Sequence, residues 1–488
     1  MPQLGDYVFR AGGGLIALRF SILLLIVFFG LWPTTGWAEE LQSAQPAYVW
    51  VQLLPDPPAG PVGRLVRAIV AEGDQCPKIV VNATELDMHP RQPRVHWAFP
   101  VLLCEAEIDA ASDARIGARH LPARPNPADN VLVFGDTGCR IVHYGVNQRC
   151  RDTAQWPFAT IAASAAPAIG DDGQSVIIHV GDFHYREKPC PDSDAGCGGS
   201  PFGDNWATWE AEFFKPASPL LLQAPWVILR GNHENCARAG VGWTFFFALP
   251  FQYDKIDASR VCQDDLDPYR VTLRDGAGGS RLVLIVLDTA DAEDPFGLAD
   301  RPGGKKGRCS AYRDKLKPLI TGDAQFWLAL HQPLWFLGEE EEGGEQGSLA
   351  QPHDDCGKSA VNAIRALLTK SKEAGDHVRL VLSGDTHNFQ LFEPIARNRP
   401  VQLVAGTGGA RLDPVNQKNP SETVKALSSL WSHGVEGKVL GISTYGFVTL
   451  RRAGPHWDVE LHDVRGGAIA SCTIPDSHSR PAPCTKAH

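Results

Sequence analysis

Again and again in this chain a largely apolar run breaks off at a cluster of acid, amide or imidazole residues, most often opened by a glycine. The runs are VLVFGD (131–136), SVIIHVGD (175–182), WVILRGNHE (226–234), RLVLIVLDTAD (281–291), FWLALHQP (326–333) and VRLVLSGDTH (378–387). None alternates apolar with polar, so each needs burial on both faces, as strands of a covered parallel sheet do. A helix-like stretch, WPFATIAASAAPAI, separates the first two. Strands alternating with helices predict an α/β fold. Its polar strand ends would then gather where such sheets bind their ligands.

The rest of the composition is ordinary. Of 488 residues, 43% are hydrophobic and 21% charged, enough apolar material for a large core and too much for a disordered, collagen-like or coiled-coil chain. The net charge of −10 argues against a protein that tracks a nucleic-acid duplex, which needs a basic stripe.

Three flanking regions read differently. Residues 1–38 carry Arg10 and Arg19, an apolar run from Phe20 to Trp32, the breaker Pro33 and the small-residue site Gly36-Trp37-Ala38. That is the pattern of a secretory signal peptide, with an uncleaved anchor as the alternative. Removing it leaves no stable membrane span and predicts a secreted or periplasmic protein. Residues 45–122 hold short β-rich runs (YVWVQLL, RLVRAIV, KIVVNAT, FPVLLCEAEI) and predict a small all-β sandwich domain. Pro122, Pro125 and Pro127 form a stiff linker to a catalytic domain over 129–465, with a C-terminal tail over 466–488. Near its end a β-hairpin is expected to turn at Ala453-Gly454-Pro455, and the Glu-rich stretch from Gly338 to Gly347 reads as a solvated loop.

Twelve cysteines, an even number without any CxxC, agree with an oxidising compartment. Connectivity does not follow from sequence. Local spacing suggests neighbour pairs: Cys76–Cys104, Cys139–Cys150, Cys190–Cys197, Cys236–Cys262, Cys309–Cys356 and Cys472–Cys484.

The strand ends supply a particular set of donors: Asp136, then Asp182 and Tyr185, Asn232 and His233, His331, and last Asp385 and His387. Hard oxygen donors mixed with imidazole suit iron, manganese or zinc. Two such ions side by side serve phosphoryl displacement. The ordered motifs Asp-x-Gly (Asp136, Gly138), Gly-Asp-x-x-Tyr (Asp182, Tyr185), Gly-Asn-His-Glu (Asn232, His233) and x-x-His (His331) resemble those of the calcineurin-like metallophosphoesterase superfamily. They are most similar to its purple acid phosphatase branch. The resemblance implies a four-layer α/β/β/α sandwich behind the small β-sandwich, and hydrolysis of a small-molecule phosphate ester by a metal-bound hydroxide. It puts Asp136, Tyr185 and His387 on one metal, Asn232, His331 and Asp385 on the other, and Asp182 between them. His233 would stand over the leaving group, making His233 and Asp182 the catalytic pair. Phosphodiesterases, nucleotide-hydrolysing relatives and a non-catalytic binding protein on the same fold are the alternatives.

One position departs from the branch: Asp385 stands where the family's last motif, Gly-His-x-His, has histidine. Three carboxylates and a phenolate cancel two divalent ions, so a bound hydroxide would leave a negative site facing a phosphate. Either one ion is trivalent, Fe(III) with a divalent Fe, Mn or Zn, or Asp385 lies outside the ligand sphere. His184 is open between substrate contact and spacer. Asp288 reads as a turn or cap, and His143, His179, His353, His377 and His433 as structural. Gly406-Thr407-Gly408-Gly409 reads as a loop bordering the site.

Overall fold

The computed structural model describes residues 45–57, 62–91, 98–141, 146–170, 173–254, 256, 261–276, 281–292, 311–337, 361–396, 398–416, 419, 421–432, 435–476 and 482–486. The signal-peptide reading of 1–38 lies outside these residues. So do the stretch 338–347, Cys309, Cys356, His143, His353 and His433.

The N-terminal strands are β1 (Tyr48–Leu53), β2 (Gly63–Ala71), β3 (Lys78–Val81), β4 (Thr84–Asp87), β5 (His89–Pro90), β6 (Val101–Asp109), β7 (Ala114–Ile116) and β8 (Arg119–His120). The predicted apolar runs follow as β9 (Asn130–Phe134), β10 (Ser175–His179) and β11 (Trp226–Ile228). A second series comprises β12 (Tyr269–Arg274), β13 (Leu282–Val286), β14 (Gln325–Ala329), β15 (Val378–Ser383), β16 (Phe389–Pro394), β17 (Val401–Ala405), β18 (Val424–Ser432) and β19 (Val435–Ile442). The chain ends in β20 (Gly446–Ala453), β21 (His456–Asp463), β22 (Ala468–Pro475) and β23 (Ala482–Lys486).

These strands make two large sheets and a small one. The first runs β23-β22-β21-β20-β9-β10-β11-β1-β2-β6-β5, the second β12-β13-β14-β15-β17-β16-β19-β18, and the third β4-β3-β7-β8. The two large sheets face each other across a core that includes Val133, Ile178 and Val448 from one and Leu284, Leu382 and Leu403 from the other. The outer face of the first is covered by the helices Phe158–Ile169 and Gly240–Phe247, through Phe158, Ile161, Phe246 and Phe247. The helix Val361–Lys370 covers the outer face of the second through Val361, Ile364 and Leu368. Mixed α/β layers of this kind are what the doubly buried strands require: β10 is buried at every position.

The small β-sandwich is present, and one of its leaves is continuous with the first large sheet. β3, β4, β7 and β8 close over β1, β2 and β6 around Val51, Val66, Ile79 and Ile116. β1 also pairs in parallel with β11, Gln52 opposite Trp226. Its run YVWVQL therefore shows no alternation. Val49 and Val51 face the small sheet, while Trp50 packs on the opposite side with Phe214 and Phe247. The hairpin β20–β21 turns through Gly454 and Pro455, and β20 lies antiparallel to β9, with Val448 opposite Val133.

Five of the expected disulfides lie among the described residues: Cys76–Cys104, Cys139–Cys150, Cys190–Cys197, Cys236–Cys262 and Cys472–Cys484. The sixth expected pair lies outside them. No helix of the described residues is long and apolar enough to cross a membrane.

Candidate metal centre

Register brings the polar strand ends together. β9 and β10 run parallel with Phe134 opposite His179, so the loops leaving them lie side by side. Asp136 N–H donates to Gly181 O at 2.9 Å and Thr137 N–H to Asp182 O at 2.9 Å. In the second sheet Gly384 N–H donates to His331 O at 2.9 Å, and between the sheets Gly135 N–H donates to Ala405 O at 2.9 Å. Asp136, Asp182 and Asp385 all have left-handed backbones, with φ of 57°, 59° and 67°. Aspartate tolerates this region better than most residues, and strain gathered at one place is typical of functional sites. The turns are too tight for larger neighbours. A Cβ on Gly231 would fall 2.0 Å from Asp182 Oδ1, and one on Gly138 would fall 2.8 Å from Tyr185 Cδ2. The tyrosine ring thus lies against the place where a histidine would stand in an Asp-x-His motif.

The side chains form two groups joined by one carboxylate. Tyr185 Oη lies 2.6 Å from Asp182 Oδ2, 3.1 Å from Asp136 Oδ1 and 2.7 Å from His387 Nε2. On the other side His331 Nε2 lies 3.3 Å from Asp182 Oδ1 and 3.6 Å from Asp385 Oδ1. Asp182 faces one group with each oxygen. Backbone carbonyls fix both imidazoles: His331 Nδ1–H donates to Val180 O and His387 Nδ1–H to Arg411 O, each at 2.8 Å. Each ring then turns Nε2 to the centre, as metal-binding histidines do.

Two buried atoms here have no hydrogen-bond partner, His331 Nε2 and Asn232 Oδ1. Such atoms are costly unless something else binds them. The electrostatics agree. Burial and the Asp182 and Asp136 charges hold the Tyr185 hydroxyl well above its usual range. Burial raises Asp136 as well, and Asp182 and Asp385 add to it. Burial would lower the His331 imidazole, but the Asp182, Asp136 and Asp385 charges outweigh it and shift the ring well above its usual range. Asp136, Asp182 and His387 also have ligand atoms within 4.8 Å of one another, all buried. The other two such groups among the described residues take their sulfurs from disulfides. The donor set fits two metal ions.

Seven of the eight residues singled out from the sequence bring their side chains together here, His233 included: its ring centroid is 3.9 Å from that of Tyr185 and its Nε2 is 3.9 Å from Asp182 Oδ2. Asn232 directly precedes His233 in the same turn, with its Oδ1 buried. His184 turns away, buried with Nε2 3.0 Å from Gly203 O. Asp288 is a turn acceptor for Leu266 and Ala290 N–H and pairs with Arg230 at 3.3 Å. His179 is buried against Phe183, and Gly406 packs behind Asp136.

Four supporting residues escaped the sequence reading. Buried Glu234 accepts the N–H groups of Gly231, Asp182, Phe183 and His184, holding the Asp182 loop in shape. Burial and the nearby Asp182 push its carboxyl up to about 8. Glu212 does the same for the neighbouring loops, accepting from Cys139 and Tyr185 N–H. Glu187 and Arg238 flank His233. Burial alone would raise Glu187, yet its hydrogen bond with His233 and the His233 and Arg238 charges bring it to about 2. The Gly-Asn-His-Glu stretch contained Glu234 in plain view, but no local pattern distinguishes an acid that binds amides from one that faces water.

The family model of the calcineurin-like phosphoesterases (Metallophos) matches residues 130–389. No curated protein matches the chain significantly. Among solved structures it is similar to the purple acid phosphatase PPD1 from yellow lupin (Lupinus luteus) seeds, with a TM-score of 0.52 and 13% identity over 88% of this chain and 74% of that one. A structure of PhoD has a TM-score of 0.52 and 12% identity over 91% of this chain and 93% of that one. At such identities the likeness is one of fold. The family match covers more than half of the sequence and begins and ends on the strands that carry the site, and on that ground the chain belongs to the calcineurin-like phosphoesterase family.

Proposed function

We propose that this chain is an exported, acid phosphatase-like hydrolase of small phosphate esters that works with two metal ions. The observation that carries the reading is the buried, unpartnered His331 Nε2 beside a carboxylate that faces both ligand groups, with Asn232 Oδ1, also buried and unpartnered, on the turn that bears His233. Asp136, Tyr185 and His387 would hold one ion, Asn232, His331 and Asp385 the other, with Asp182 shared. Ions bound there supply a hydroxide from water and draw charge from the phosphoryl oxygens. The crowding of anionic groups favours Fe(III) in the Tyr185 position beside divalent Fe, Mn or Zn. His233 gives a proton to the leaving oxygen as the ester P–O bond breaks. Asp182 holds His233 N–H at 3.0 Å and so ties that residue to the centre. The five disulfides and the leader-like pattern of residues 1–38 support a secreted or periplasmic location. Residues 45–122, 129–465 and 466–488 then act as β module, catalytic domain and tail.

Metal analysis of the purified protein, with turnover measured on a panel of phosphomonoesters and phosphodiesters, tests the reading. Two ions per chain and monoester hydrolysis are expected. A tyrosinate–Fe(III) pair also absorbs visible light, so active protein should be coloured and Tyr185→Phe should bleach it. Metal-loaded protein that hydrolyses neither ester class would overturn the function. A colourless active enzyme holding divalent ions alone would reject the iron.

A further inference from the structure

Outside the proposed ligand set, His233 is gripped from behind. Its Nδ1 lies 2.9 Å from Glu187 Oε1. Arg238 Nη2 lies 2.6 Å from Nδ1 and 2.9 Å from Nε2 of the same ring, and Arg238 Nε donates to the same Glu187 oxygen. The Tyr185 ring covers the imidazole at 3.9 Å between centroids. A guanidinium only donates and a carboxylate only accepts. Glu187 can therefore take only an Nδ1–H, while the Arg238 guanidinium, within reach of both ring nitrogens, is tied to the same Glu187 oxygen. The alternative ring orientation, flipped about the Cβ–Cγ bond, would turn a carbon toward Glu187 and Nδ1 away from it.

We infer that Glu187 is a positioning residue for His233, accepting its Nδ1–H so that Nε2, turned to the dinuclear centre, is the nitrogen that carries the transferable proton, and that Arg238 holds Glu187 in place for that task. The inference rests on the functional reading above. Glu187 lies two residues after Tyr185 on the same loop, so one segment delivers a metal donor and the brace for the acid. A misdirected acid is as costly as an absent one when the proton must reach a leaving oxygen at hydrogen-bond distance.

The test compares Glu187→Ala, Glu187→Gln, His233→Ala and the Glu187→Ala/His233→Ala double variant, with metal content measured in each. Substrates are phosphomonoesters of graded leaving-group pKa. Glu187→Ala should keep both metals and KM, and lower kcat by ~10- to 100-fold for alkyl leaving groups and far less for nitrophenolate. Glu187→Gln, whose amide oxygen still accepts the Nδ1–H, should recover most of the rate. In the His233→Ala background the Glu187 change should add almost nothing. A full further loss there, or an equal loss for every leaving group, overturns the inference. A second readout needs no turnover: ¹⁵N NMR of the zinc-loaded protein should show His233 protonated at Nδ1, and Glu187→Ala should abolish that preference. An unchanged tautomer overturns the positioning role. Wild-type protein inert toward all esters overturns the functional reading instead, and the spectra still decide the role of Glu187.

Discussion

Two places in this molecule bury charge, and they do so in opposite ways. Where the β-sandwich leaf continues into the first large sheet, Arg67 and Arg91 share Glu105 at 2.6 and 2.7 Å. Their remaining donors reach Gln52 and the Thr244 and Ala248 carbonyls, and Arg91 stacks on Tyr253. Of those two guanidinium groups only Arg91 Nε lacks a partner. At the strand ends, by contrast, Asp136, Asp182 and Asp385 crowd around Tyr185 and His331, and two donors have no partner. The first cluster is closed by one shared carboxylate and neutral amide and carbonyl acceptors. The second is left short of positive charge, which is how a structural network differs from a site awaiting ligands.

The largest break in that comparison is Asp182→Asn. It removes the one carboxylate common to both groups, so bound metal and activity should be lost together. Full metal content with wild-type turnover would refute the shared role. Next comes His233→Ala, which should keep both metals and lower the rate by ~10²–10⁴-fold, most for poor leaving groups. Rate assays beside metal analysis separate the two outcomes.

The hydrogen-bonded arginine cluster should respond in stability instead. Glu105→Gln leaves two buried guanidinium groups without their shared anion and should cost about 3 kcal/mol in denaturant titration, with activity kept in the surviving folded fraction. The pH profile sharpens this. Burial alone would raise Glu105, but Arg67 and Arg91 outweigh it and hold its pKa below the usual 4.5. Its contribution is therefore fully present above about 4.5 and is lost as pH falls through the lower folded value. Glu105→Gln should flatten the stability curve in that window, and an unchanged slope would contradict the pairing. The smallest effect is expected from Asp385→His. It adds one positive charge to the site, keeps the colour and tightens inhibition by inorganic phosphate a few-fold, read as Ki.

What the sequence made legible was local. Continuous apolar runs marked the strands, and the donors at their ends marked the centre, because ligand type and strand end are written in the same few residues. What stayed hidden depends on partners far along the chain. β1 reads as one strand of a small sandwich until Trp226 appears beside Gln52. Glu187, Glu212 and Glu234 read like any surface acid until folding removes their water and turns backbone N–H groups or an imidazole toward them. The departure at Asp385 was visible at once, whereas the left-handed turn that brings it beside His331 was not.

The order of strands in the first sheet also governs timing. β9, from which the Asp136 loop departs, is flanked by β10 on one side and on the other by β20, among the last strands to be made. β1 must likewise wait for β11. A chain synthesised from its N-terminus therefore carries an open β1 edge until Trp226–Ile228 has emerged and an open, strongly apolar β9 edge until almost all of it has, and such long-range pairing is slow and prone to association. The candidate metal centre is completed late, when β20 pairs with β9, so a chain cut short before β20 would lack the strand beside the one that leads into the Asp136 loop even with every donor residue present.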